Sequence, residues 1–104
     1  MSKELEAKFD EAMMDIYRRA LKECRYKATR FLHMLYEHRG LQTARILLHA
    51  SGVSEGYVAL SERNRLDLTV EALILADEWQ PLFDEPERDL ARKRLAAYGY
   101  VTKG

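Results

Sequence analysis

KELEAKFDEAMMDIYRRALKEC, residues 3–24, decides the fold class. Its apolar side chains fall at Leu5, Phe9, Ala12, Met13, Ile16, Ala20 and Cys24, spacings of three and four that gather on one side of an α-helix. Ser2 can cap the start, and Glu4, Glu6, Asp10, Glu11 and Asp15 precede Arg18, Arg19 and Lys22, the charge order that complements a helix dipole. Working outward, no Gly or Pro intervenes before Gly40, so periodicity alone permits one helix of about 37 residues, long against an average near a dozen. A break is expected around Arg25 to Lys27, after which Ala28, Phe31, Leu32 and Leu35 form a second amphipathic stretch that Gly40 ends as a C-terminal cap.

The rest of the chain reads as further helices. Gln42 to Ala50 supplies Ala44, Leu47 and Leu48 for a third, shorter one ending at Ser51-Gly52, and Ser54 caps a fourth through about Ser61. Asp67 or Thr69 opens a helix carrying Val70, Ala72, Leu73, Ile74 and Leu75, apolar nearly all round and so expected at the centre of the core. Pro81 makes Trp79 to Phe83 a connection packed onto that core. Asp84 and Glu87 form a capping box with Pro86 in the first turn, and Leu90, Ala91, Leu95 and Tyr98 give the stripe of a last helix before Gly99. The expectation is an all-α single domain spanning 1–104, a bundle of five or six helices around one core.

Composition sets the outer bounds. With 104 residues, 47% hydrophobic and 33% charged, the chain has enough apolar surface to offset chain entropy. Lys plus Arg and Asp plus Glu both total 17, so no global field draws it to nucleic acid or membrane, and any steering is local. Cys24 is the single cysteine, which excludes an internal disulfide and a multi-cysteine zinc site. With no hydrophobic signal region at the start and no apolar run of bilayer length, a cytoplasmic location is expected.

Several segments share a pattern: Tyr26-Lys27-Ala28-Thr29-Arg30-Phe31-Leu32, then Gly40-Leu41-Gln42-Thr43-Ala44-Arg45, then Arg65-Leu66-Asp67-Leu68-Thr69-Val70-Glu71-Ala72-Leu73, then Trp79, Leu82-Phe83 and Ala91-Arg92-Lys93-Arg94-Leu95. Together they resemble a small family of uncharacterised bacterial all-helical domains over residues 26–100. The resemblance implies a helical module with no assigned activity, some relatives being associated with nuclease-containing proteins. It leaves residues 3–24 outside, as an addition whose Phe9, Met13 and Ile16 must be buried against something, a dimer contact being one candidate.

The best functional hint is the interleaving of Tyr17, Arg18, Arg19, Lys22, Arg25, Tyr26, Lys27 and Arg30, since cations neutralise phosphates and aromatics stack on bases. The cations Arg18, Arg19, Lys22, Arg25, Lys27 and Arg30 are the candidate nucleic-acid contacts. The preferred reading is a solvated helix face, with Asp15 pairing to Arg18 or Arg19. Residues 54–90 carry ten acids against Arg63, Arg65 and Arg88, and are expected to meet the basic half within the molecule.

Residues 43–60 have helix-turn-helix spacing, with Tyr57, Val58 and Leu60 facing inward, but Leu48 is bulky where the second helix must approach and Glu55 and Glu62 suit phosphates badly. His33 and Glu37 stand one turn apart, His38 and His49 join no ligand set by spacing, and Asp84, Glu85, Glu87 and Asp89 are explained by a helix start. Asp67 and Glu71 read as cap and helix-surface groups, Arg65 with Asp67 as an ion pair, and Cys24 as core. No phosphate loop, nucleophile elbow or His-Glu-x-x-His motif occurs. These residues predict an accessory interaction module without cofactor or metal, joined to a protein partner or to itself through the first helix. A nucleic-acid binder and a small enzyme stand as the alternatives.

Overall fold

The structure is a computed structural model and describes residues 2–100, with side chains from Lys3. Five α-helices and two 3₁₀ turns follow one another, with no strand among the described residues: α1 (Ser2–Cys24), α2 (Thr29–His49), α3 (Glu55–Glu62), a turn at Leu66–Leu68, α4 (Val70–Ile74), a turn at Asp77–Leu82 and α5 (Glu85–Ala97). The all-α class is therefore as the periodicity predicts. The proposed Ser2 cap is a side chain outside the described residues.

The apolar stripe of α1 is the heart of the core. Phe9 and Met13 are fully buried, with Ile16 and Ala20 nearly so. Phe9 meets Trp79 and Phe83 edge-on, at ring-centroid distances of 5.1 and 5.4 Å. Such pairs add to the burial of apolar area itself. The face from which self-association was expected is thus covered within the chain, and α1 belongs to the same core as Leu35, Ala44, Leu48, Ile74 and Ala91. The α4 segment is shorter than its apolar run suggests. Thr69 caps it by accepting from the Ala72 N–H, and only five residues are helical, so it contributes Val70 and Ile74 to the core instead of forming its axis.

The chain turns between α1 and α2 at Arg25, whose φ of 54° is left-handed. The predicted break falls there, and the predicted end at Gly40 falls one residue early: α2 is two helical segments divided by a kink at Arg39, with φ 66° and ψ −179°, the second running to His49 as the Gln42 to Ala50 stretch predicts. That conformation is nearly confined to glycine and costs about 1–3 kcal/mol in other residues. The glycine is needed one position later, where a Cβ on residue 40 would stand 2.8 Å from Asp10 Oδ1 and 3.1 Å from Asp10 Cα. Close approach lets the Gly40 N–H donate to Asp10 Oδ1 at 2.7 Å while the Arg39 guanidinium donates to Oδ2 at 2.7 Å. Thr43 Oγ1 donates to the Met34 carbonyl at 3.0 Å, a bond that spans the kink. Asp10 therefore holds the α1–α2 pair at its bend. Asp10→Ala is expected to cost about 1–3 kcal/mol by stranding the Gly40 donor. Asp10→Asn, which keeps an acceptor, should lose less; equal losses in urea denaturation would show that the Arg39 pair and not the Gly40 bond matters.

The 3₁₀ turn Asp77–Leu82 buries Trp79 and Leu82, and Phe83 follows, closing one end of the core as the proline predicts. Asp84 caps α5 with a full capping box to Glu87, Pro86 lies in the first turn, and Ala91 and Leu95 are fully buried. Gly99, at φ 79°, ends the helix.

Candidate functional site

The six predicted cations divide. Arg19 is engaged: it donates to Glu23 at 2.9 Å, and Glu23 also accepts from Arg65 at 2.7 Å, while Arg65 reaches Asp67 at 3.0 Å. Hydrogen bonds from Arg19 and Arg65 lower the Glu23 carboxyl to about 2, and the Arg65 bonds hold Asp67 below its ordinary value. The expected Asp15 partnership does not form; Glu23, one turn ahead of Arg19, takes its place. Arg18, Lys22, Arg25, Lys27 and Arg30 are exposed, without an ion pair to any described residue. The two charged halves meet only where Arg45 and His49 reach Glu87, at 3.5 and 2.9 Å, and where Glu23 reaches Arg65.

Beside these cations lies a groove of about 740 Å³. One wall is α1, through Ile16 and Ala20; another is the first half of α2, through Phe31 and Met34. The far side is formed by Tyr57 and Leu60 of α3 and by the Leu68–Glu71 stretch. Lys27 and Arg30 line it at the chain turn before α2. Its volume lies within the range of about 300–1,000 Å³ usual for small-molecule sites. The groove lies between α2 and α3, and α3 packs chiefly on the Leu66–Leu68 turn. In a helix-turn-helix unit those helices pack directly on each other. Val58, expected to face inward, is 40% exposed.

A buried polar cluster holds the far wall in place. Arg94 of α5 donates to Glu71 at 3.1 Å and to the carbonyls of Leu47 and Ala50 at 3.0 and 2.7 Å, tying α5 to α4 and to the end of α2. Glu71 is only 4% exposed, which corrects its reading as a helix-surface group. Burial outweighs Arg94 and raises its carboxyl above the ordinary value. Burial likewise pushes Tyr57 up to about 12, so its hydroxyl stays a donor, and it gives its hydrogen bond to the Arg94 carbonyl at 2.9 Å. Sequence reasoning missed this cluster. The available signal was Glu71 itself, a carboxylate amid Val70 to Leu75 that needs a cation once the run is buried.

The histidines form no common site. His33 and Glu37 pair at 3.3 Å on an exposed face, as their spacing predicts, His38 is exposed, and His49 lies at the other end of α2. No group of three metal-ligating side chains occurs among the described residues. Cys24 is half-buried against Ala20, Leu60 and Leu68, in a small cluster beside the groove. No helix among the described residues is long and apolar enough to cross a membrane. No protein-family model, curated protein or solved structure gives a significant match to this chain.

Proposed function

We propose that this chain is a binding module that works through the groove between α1, α2 and α3, without catalysis of its own. The observation that carries the reading is the groove itself, a cavity of about 740 Å³ with apolar walls in a chain of 104 residues. An opening of this size with apolar walls suits a ligand's apolar body. A nucleic-acid role would draw on the cations at the same end, but it leaves the apolar walls without a use.

Gly56 offers the direct test. Gly56 lines the groove, and a Cβ there meets only Ser54 Oγ and Tyr26 Oη, both at ordinary contact distance of 3.9 Å. Gly56→Phe replaces a poor helix former and is expected to keep the fold. It should abolish saturable binding of a neutral apolar fluorophore that the parent chain takes up. Unchanged uptake in a folded Gly56→Phe variant contradicts the reading.

A further inference from the structure

We infer that the ligand of this groove is an amphipathic small molecule with an aliphatic body and an anionic head, the head lying against Lys27 and Arg30. This rests on the binding-module reading above and deepens it. The walls argue for the body: Ile16, Ala20, Phe31, Met34, Leu60 and Val70 present hydrocarbon on several sides of one space. The volume is within the range of a small-molecule site.

The charges argue for the head. Three acids line the groove: Glu71 is neutralised by Arg94 at 3.1 Å, while Glu37 hydrogen-bonds His33 at 3.3 Å on an exposed face. Glu55 is the third and stands on the α3 side. Against it, Lys27 and Arg30 line the end at the chain turn with no described ion partner, and Arg18, Lys22 and Arg25 are exposed on the adjoining stretch of chain. The same end holds the start of α2, whose first turn carries no acid and whose N-cap, Ala28, supplies no side-chain bond. A cationic head at this end would meet repulsion, and a neutral one would leave the charges idle. An anion there gains charge-assisted hydrogen bonds beside a low-dielectric wall.

The experiment compares three twelve-carbon amphiphiles by isothermal titration calorimetry on the full chain, dodecanoate and dodecyltrimethylammonium below their micelle concentrations and dodecanol below its solubility limit. Dodecanoate should bind tightest, and decanoate about fifteen-fold more weakly, since each buried methylene is worth about four-fold. Lys27→Glu with Arg30→Glu, two exposed changes that leave the core alone, should weaken dodecanoate about ten-fold and leave dodecanol unchanged. Gly56→Phe should remove all three. Equal affinity for dodecanol and dodecanoate overturns the anionic head while leaving the groove reading intact. No saturable binding of any amphiphile overturns both. A chain that ignores the amphiphiles yet binds a labelled oligonucleotide, and loses it on the double charge reversal, overturns the inference in favour of phosphate recognition by the same cations.

Discussion

Replacing Phe9 by alanine is expected to cost about 3–5 kcal/mol, a large share of the stability of a domain this size. The ring is fully buried and stands edge-on to both Trp79 and Phe83, so its removal opens a cavity between the first helix and the turn that closes the core. Relaxation cannot easily fill the space, because Met13 and Ile74 beside it are themselves fully buried. Urea denaturation followed by far-UV circular dichroism reads the loss, and a drop of under about 1 kcal/mol would show that α1 is an appendage to a core formed without it. The result bears on function as well, since Ile16 and Ala20 of the same helix wall the groove.

Arg94→Met is expected to cost about 3 kcal/mol or more at pH 7, by leaving Glu71 buried beside an apolar side chain. Its sign with pH follows from protonation. The folded-state value of Glu71 lies above its ordinary 4.5 because of burial, so in the parent chain its contribution is fully present below 4.5 and is lost as pH rises through the folded value. Without Arg94 that value rises further, and the penalty of the substitution should shrink as pH falls from 7 toward 4.5 and the carboxyl becomes neutral. A part independent of pH remains, from the lost bonds to the Leu47 and Ala50 carbonyls. Adding Glu71→Gln to Arg94→Met should remove the pH dependence and keep that remainder. A penalty that stays flat between pH 4.5 and 7 would show that Arg94 serves only the two carbonyls. The Glu23 and Asp67 carboxyls act in the opposite sense: held low, they stabilise the fold above their ordinary values, a contribution that Glu23 loses as pH falls toward about 2 and Asp67 as pH falls below its ordinary value.

The helices were legible because each rests on local rules. Phe9, Met13 and Ile16 recur at helical spacing, and Asp84 with Glu87 announces the start of α5 through bonds between near neighbours. The break at Gly40 was legible to within one residue, but its cause is not local: the glycine's lack of a Cβ serves Asp10, thirty residues away. The groove was illegible for the same reason. Leu47, Tyr57 and Leu60 look like two helices that close on each other, whereas they line one groove, with α3 packed chiefly on the Leu66–Leu68 turn. Of the cationic site, the sequence supplied the residues and not their division, since the partner that occupies Arg19 is itself bound by Arg65 from a distant turn. Exposed charge is readable from composition, whereas which charges stay unpaired depends on tertiary contact.

Chemical-shift mapping on isotopically labelled chain tests the groove most directly. Dodecanol added below its solubility limit should shift signals of Ala20, Phe31, Met34, Leu60 and Val70 along one saturable curve, leaving the outer face of α5 at Lys93 and Ala96 unmoved. Shifts that grow without saturation, or that gather on α5 and not around the groove, would contradict the account.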